Sequence, residues 1–222
     1  VTDTQRVGEI HVHVGTLDEG DPLRLPLEVK AEVDGVRRRN IMANHTGTHL
    51  LHWALRQVLG PAAVQQGSLV APDRLRFDVT HGKAITHEEL EEIERLVNEK
   101  IAGNTSLQMT VENLDAAKSR GVIALFGEKY EEKVRVVDIG GYSTELCGGT
   151  HCRATGDIGA FAIVSESAVQ AGVRRIEAVT RGAAVVRMQE MRRALKEASQ
   201  LLKVAPEELG RRIEALQKEI KD

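Results

Sequence analysis

The sequence predicts an α+β protein, because strand-like and helix-like patterns occupy different stretches of the chain. Residues 1–39 are dominated by period-two alternation of apolar side chains, which is typical of β-strands. The middle of the chain mixes strand patterns with two amphipathic helical patterns, and the apolar spacing after Gly182 is that of helices. We therefore expect β structure first, then a mixed α/β region, then C-terminal helices.

The composition is ordinary for a folded domain. The 222 residues are 41% hydrophobic and 28% charged, and the net charge is −3, so any contact with RNA must be local. No apolar run reaches membrane-spanning length and no signal peptide is visible. Two cysteines make no disulfide framework, which predicts a reducing, cytoplasmic setting. Because the chain opens with Val1 inside a strand-like region, we expect it to be a piece of a longer protein.

Two alternating segments lie within residues 1–39. Residues 10–14 place three aliphatic side chains on one face of a strand, and His11 and His13 on the other. A His-x-His pair can bind a metal, but an exposed strand face is the simpler explanation. Residues 27–33 alternate again and predict another strand, and Asp34-Gly35 predicts a turn.

A histidine-bearing helix follows. Asn44 is a good N-cap and Gly60, followed by proline, is a good stop. His45 and His49 are four residues apart, so both imidazoles leave one face of the helix and could clamp a divalent metal. A helix that merely contains histidines explains this motif equally well. The core-facing stripe consists of Leu51, Leu55, Val58 and Leu59.

Strands and helices alternate from residue 62 to residue 179. Residues 62–70, the turn at Pro72-Asp73 and the alternation over residues 75–79 predict a hairpin beside the preceding helix. A capping box at residues 86–89 opens a second helix, whose core face is Leu90, Ile93, Val97 and Ile101. The other expected elements are strands at 107–111, 134–137, 160–164 and 173–179, and a helix at 113–120 ended by Gly121.

After Gly182, apolar residues recur at heptad-like spacing in two runs that are interrupted at Ala205-Pro206. Pro206 suits the first position of a helix. The pattern predicts two helices with apolar stripes at Met188, Met191, Leu195, Ala198 and Leu202, and at Leu209, Ile213, Leu216 and Ile220.

A second candidate metal-binding segment lies at residues 145–151. Two glycines between Cys147 and His151 predict a tight loop that turns both side chains towards one point. Together with His45 and His49 this gives three imidazoles and one thiolate, a set that suits Zn²⁺. Cys152 would point away from His151 in an extended segment, so we expect it to be a small buried side chain and not a ligand.

The chemistry of such a site has two open alternatives. Four protein ligands are typical of a closed, structural zinc site, whereas catalysis needs an open position or a weak ligand. The motif has no glutamate after His45, which argues against a zinc protease. A metal-activated water could still attack a substrate without a protein base.

These motifs resemble the editing domain of the alanyl-tRNA synthetase family, over essentially the whole chain. Residues 44–52 (NHTGTHLLH) are similar to the family's N-H-T-A-T-H-L-L-H. Further matches are residues 65–70 (QQGSLV), 75–78 (LRFD), 124–130 (ALFGEKY), 147–151 (CGGTH), 165–167 (SES) and 172–180 (GVRRIEAVT).

The resemblance implies a domain organisation and an activity. Residues 1–39 would be the end of a small β-barrel subdomain, 40–182 the metal-dependent editing domain, and 183–222 a helical segment leading to a dimerisation region. The domain would hydrolyse tRNA(Ala) mischarged with serine or glycine, while the parent enzyme attaches alanine to tRNA(Ala) with ATP. The ATP-dependent domain has no counterpart in these residues.

The resemblance also assigns roles to residues. His45, His49, Cys147 and His151 are the implied metal ligands, and Gln65 lines the substrate pocket. Thr46 and Thr48 would contact the serine hydroxyl or the terminal adenosine, unless their hydroxyls bond backbone carbonyls. The spacing of the loop, and not the resemblance, suggests that Gly148 and Gly149 offer N–H groups to a developing oxyanion. We also expect phosphate contacts from the basic residues Arg37–Arg39, Arg174 and Arg175.

Two other functions fit the sequence. One is a free-standing trans-editing protein, or an editing domain of the threonyl-tRNA synthetase type. The other is a zinc-stabilised RNA-binding module without catalysis. Comparing Ser-tRNA(Ala) with Ser-tRNA(Thr) separates the enzymes, and binding without turnover would indicate the module.

Overall fold

A computed structural model describes residues 1–8, 10–16, 28, 30–124 and 130–220. The chain divides into two compact units, Val1–Val33 and Asp34–Asp222. The division precedes the boundary expected after residue 39, and the functional assignment of the domains stays a prediction.

The first unit contains an antiparallel hairpin of β1 (Asp3–Val7) and β2 (Ile10–Val14). Both strands are exposed along their length. A barrel remnant is not confirmed, because the described residues of this unit form this hairpin and no further strand. In the strand expected at 27–33, residues 27 and 29 lie outside the described part of the chain, and residues 30–33 are not in a strand.

The second unit begins with α1 (Gly35–Leu59), which starts earlier than predicted. Asp34 and not Asn44 is the N-cap, and its carboxylate accepts from the N–H groups of Val36 and Arg37. The expected turn at Asp34-Gly35 is therefore a helix start. Asn44 is buried inside α1, where its side chain donates to the Ala71 carbonyl and accepts from Thr180.

Both α1 and α2 (His87–Ala102) pack against a four-stranded antiparallel sheet. The strand order is β3 (Gln65–Val70), β4 (Leu75–Thr80), β9 (Val173–Thr180) and β8 (Phe161–Gln170). The capping box that the sequence predicts at the start of α2 is present. Leu51 and Leu55 of α1 and Ile93, Val97 and Ile101 of α2 are buried, which confirms these parts of the predicted core faces. The other predicted core residues, Val58, Leu59 and Leu90, are partly buried and pack against this core.

A second antiparallel sheet has the order β5 (Leu107–Asn113), β6 (Lys133–Ile139) and β7 (Ser143–Leu146). The short helix α3 (Leu114–Ser119), capped by Asn113, follows β5 as predicted. Strand β7 ends one residue before Cys147, so this sheet positions the second candidate metal-binding segment. Residues 125–129 of the 124–130 motif lie outside the described residues.

The chain continues into α4 (Arg181–Leu202), a 3-10 turn (Pro206–Glu208) and α5 (Leu209–Glu219). Two helices interrupted near Pro206 were expected, and this is confirmed. Several residues of the apolar stripes are exposed, including Met188, Met191, Leu195 and Ile213. None of the helices in the described residues has the length and apolar character needed to span a membrane.

Candidate metal centre

Helix α1 supplies the first half of the site. His45 and His49 leave the same face one turn apart, and their ring centroids are 5.4 Å apart. His49 is buried and His45 is half-buried. Gly47 faces the four-stranded sheet, where an added Cβ would lie 3.3 Å from Thr180 and 3.4 Å from Leu75. The helix therefore lies close to the sheet at the position of the histidines.

The loop after β7 supplies the second half. The Cys147 N–H donates to the Arg135 carbonyl at 3.0 Å, and the Arg135 guanidinium donates to the Gly149 carbonyl. A Cβ at Gly149 would lie 2.0 Å from Cε1 of His45, whereas one at Gly148 would meet no atom within 4 Å. Gly149 is therefore required by the close approach of the loop to His45.

The structure brings the four predicted ligands together. One donor atom from each of His45, His49, Cys147 and His151 lies within 4.8 Å of all the others. Sγ of Cys147 is 3.4 Å from Nε2 of His45 and 3.3 Å from Nε2 of His151. Three imidazole nitrogens and a sulfur converging on one point fit a tetrahedral ion of borderline softness.

The histidines are suited to metal binding because burial keeps them neutral. Burial, reinforced by the neighbouring His49, lowers the pKa of His45 from 6.5 to about 4. The pKa of His151 falls to about 2, again mainly through burial and then through the charges of His49 and His45. Burial also lowers the pKa of His49. At neutral pH these nitrogens are therefore free of protons that would compete with a metal.

Glu145 is a buried residue beside the candidate ligands that the sequence did not single out. Its Oε2 lies 3.5 Å from Nδ1 of His49, and its Oε1 lies 3.0 Å from Nδ1 of His52. Burial would raise the pKa of Glu145, but His49 and His52 together hold it below the usual value. Its hydrogen bond to a histidine is made with His52, whereas Nδ1 of His49 has no hydrogen-bond partner among the described residues. A carboxylate that bonds a ligand histidine from behind fixes its tautomer and ring orientation, and Glu145 is the residue placed to do so. The signal was present, because Glu145 is two residues before Cys147 and so shares its face of an extended strand.

Thr46 and Thr48 are both buried and both occupied by internal hydrogen bonds. Thr46 Oγ1 accepts from the Cys152 N–H at 3.0 Å and lies 3.3 Å from Nδ1 of His151. Thr48 Oγ1 donates to the Asn44 carbonyl at 2.8 Å, so its hydroxyl makes the backbone hydrogen bond that was the expected alternative to substrate contact. Cys152 is buried and lies outside the metal group, as expected.

Gln65 and the predicted phosphate-binding arginines are not members of this metal group. The Gln65 amide donates to Ser68 across a bulge in β3. Arg174 and Arg175 do not offer free guanidinium groups for phosphate, because each makes a two-pronged ion pair, with Glu166 and Asp78 respectively. The arginines at 37–39 lie exposed in the first turns of α1.

A family profile described as "Threonyl and Alanyl tRNA synthetase second additional domain" matches residues 134–177. The match runs from β6 to β9 and includes Cys147, His151 and Glu145. It does not include α1, so the histidines of the helix lie outside it.

Relatives match over the whole chain. The alanine–tRNA ligase of Thermoanaerobacter sp. (strain X514) is 52% identical over 221 residues, which is 100% of this chain and 25% of the relative. The enzyme of Haemophilus influenzae (strain PittGG) is 49% identical over the same share of both chains. The enzyme of Mesorhizobium japonicum is 48% identical over 100% of this chain and 26% of its own. The chain thus spans about a quarter of these curated relatives, and its resemblance to alanine–tRNA ligases is confirmed.

Proposed function

We propose that this chain is the editing region of an alanine–tRNA ligase, and that it hydrolyses the ester bond of tRNA(Ala) carrying serine or glycine. The observation that carries the proposal is the convergence of His45, His49, Cys147 and His151 inside a chain that matches alanine–tRNA ligases from end to end. Zn²⁺ is the ion that best suits this donor set.

The proposed ligands are the three imidazoles and the Cys147 sulfur, with the Glu145 carboxylate 3.5 Å behind His49 and the Thr46 hydroxyl 3.3 Å behind His151. When bound, zinc supplies Lewis-acid polarisation of an ester carbonyl or a lowered pKa of a bound water. Four protein donors make a closed site unless one of them is weak. His45 and Cys147 are half-buried while His49 and His151 are buried, so the side of the group formed by His45 and Cys147 is the one that an ester can approach.

The loop offers donors on this approachable side. Among the described residues, the N–H groups of Gly148 and Gly149 donate to no backbone carbonyl. Backbone N–H groups that are already oriented stabilise the negative charge that develops on an ester oxygen during hydrolysis. We assign this role to Gly148 and Gly149, and the role of a pocket-lining side chain to Gln65. Because the hydroxyls of Thr46 and Thr48 are used in internal hydrogen bonds, we assign them an indirect role, which is to position the candidate ligands and not to contact the substrate.

Discrimination between amino acids gives a physical reason for such an activity. A pocket shaped for alanine rejects glycine weakly because glycine is smaller, and serine weakly because it adds a single hydroxyl. Binding differences of this kind give only roughly 10- to 200-fold selectivity, so a second hydrolytic site raises fidelity. The ligation of alanine, the dimerisation region after residue 182 and the cytoplasmic setting belong to the same proposal for the longer protein.

The test compares hydrolysis of Ser-tRNA(Ala), Gly-tRNA(Ala), Ala-tRNA(Ala) and Ser-tRNA(Thr) by the zinc-loaded chain. We expect the first two to be deacylated and Ala-tRNA(Ala) to be spared. Preference for Ser-tRNA(Thr) would instead indicate the threonyl type of editing domain, which the matched family profile also names. Binding of all four RNAs without turnover would contradict the proposal and indicate a zinc-stabilised RNA-binding module.

A further inference from the structure

A cavity of about 490 Å³ lies next to the metal group and is not explained by it. Its lining includes Met42 of α1, three residues before His45, and Cys152, which directly follows His151. The Cys152 N–H is bonded to Thr46, which also contacts His151. The cavity lining is therefore joined to the candidate ligands along the chain and through Thr46.

The rest of the lining is strongly basic. Arg39, Arg153 and Arg181 contribute three guanidinium groups, against the single carboxylate of Asp157. That carboxylate accepts from the backbone N–H groups of Arg153 and Ala154, at 3.2 and 3.4 Å. Within the described ranges none of the three arginines forms an ion pair. The cavity therefore holds an uncompensated positive charge, unlike the neutralised Arg174 and Arg175.

Arg181 is held in place at the edge of this cavity. It is the first residue of α4 and has a left-handed backbone with φ of 55°, which is uncommon for a residue other than glycine. Its N–H donates to the Ala160 carbonyl at 3.0 Å and its Nη1 donates to the Asp157 carbonyl at 2.8 Å. The first turn of α4 contains no acidic residue, so the partial positive charge of the helix start is also unopposed.

We propose that this cavity binds a backbone phosphodiester of the RNA strand whose 3′ end is presented to the metal group. A phosphodiester carries one negative charge shared by its two non-bridging oxygens, and a guanidinium group can donate paired hydrogen bonds to them. The inference deepens the proposed function and rests on it for the identity of the RNA. Arg39 comes from α1, Arg153 from the loop after His151 and Arg181 from α4, so the phosphate would be fixed relative to both halves of the metal group.

The test measures binding of the whole chain to an RNA hairpin that has a single-stranded 3′ end and carries no amino acid. Binding is followed by fluorescence anisotropy at several salt concentrations. We expect Arg153→Gln and Arg39→Gln each to weaken binding about 3- to 10-fold and to reduce the slope of log K against log salt by about 1. Arg153→Lys should retain most of the slope, because the charge remains. The matched control is Arg211→Gln on α5, an exposed arginine that does not line the cavity.

The outcomes separate this inference from the proposed function. If the chain binds the hairpin through these arginines but hydrolyses no Ser-tRNA(Ala), the proposed function fails and the phosphate site stands. If it hydrolyses Ser-tRNA(Ala) while both arginine variants keep the affinity and salt slope of the parent, the phosphate site is wrong. Competition by inorganic phosphate without any effect of the variants on RNA binding would also overturn the site, and would mark the cavity as one for small anions.

Discussion

Oε2 of Glu145 lies 3.5 Å from Nδ1 of His49, a buried nitrogen that has no hydrogen-bond partner among the described residues. A carboxylate at this position can orient a metal-binding histidine, and loss of such a partner typically costs roughly 10- to 100-fold in affinity. We expect Glu145→Gln to weaken Zn²⁺ binding by this factor, measured by competition with a chromophoric chelator. The control is Glu132→Gln, which alters an exposed carboxylate. Equal affinities of the two variants would show that Glu145 does not position His49.

The two glycines of the loop after β7 should differ sharply in their tolerance of a methyl group. Gly149→Ala would place Cβ 2.0 Å from Cε1 of His45, whereas Gly148→Ala would meet nothing within 4 Å. We expect Gly149→Ala to lower zinc affinity more than about tenfold, because His45 or the loop must move. Gly148→Ala should bind zinc as the parent does. If the two variants bound zinc equally well, the packing of Gly149 against His45 would be wrong.

The metal-free chain should lose stability as the pH falls from 7 to 5. The pKa of His45 is about 4 and that of His151 about 2 in the folded chain, against 6.5 when unfolded. Below pH 6.5 the unfolded state therefore binds more protons than the folded state. The contribution of these two neutral histidines to the free energy of unfolding is full above pH 6.5 and is lost on acidification. Urea unfolding of chelator-treated protein at pH 7, 6 and 5 measures it, in a range where carboxylates stay ionised. A His151→Asn variant should show a weaker dependence, and a flat profile for the parent would contradict the burial of these histidines.

Arg175 should contribute to the stability of the fold and not to the binding of RNA. Its guanidinium donates to both oxygens of Asp78 at 2.7 and 2.8 Å, across neighbouring strands β4 and β9, and this pairing lowers the pKa of the buried carboxylate. Arg175→Gln leaves that carboxylate without its partner, which destabilises the fold. We expect a lower urea midpoint than for Arg95→Gln, which breaks only exposed ion pairs. A reduced salt slope of RNA binding with an unchanged urea midpoint would instead support a phosphate contact.

Local patterns in the sequence predicted most of the strands, the capping box and the four candidate ligands, because period, spacing and residue type carry that information; the strand expected at 27–33 was wrong over residues 30–33, and β7 was not predicted. They did not locate the start of α1. Asp34 and Asn44 are both good N-caps, and the choice depends on the partners of Asn44 at Ala71 and Thr180, which are distant in sequence.

The role of Glu145 and the pairing of the arginines depend in the same way on tertiary structure. Glu145 meets His52 from a position 93 residues away along the chain. Nothing local distinguishes the ion-paired Arg174 and Arg175 from the unpaired arginines around the cavity, because the difference lies in which carboxylates the neighbouring strands present.

The most direct test of the account combines zinc content with hydrolysis of Ser-tRNA(Ala), for the parent chain and for the Cys147→Ala, His151→Ala double variant. Circular dichroism establishes that the variant is folded. We predict one zinc per parent chain, its loss in the variant, and a fall in the single-turnover hydrolysis rate of roughly a hundredfold or more. Unaltered hydrolysis by a folded, zinc-free variant would contradict the assignment of these residues to a hydrolytic metal centre.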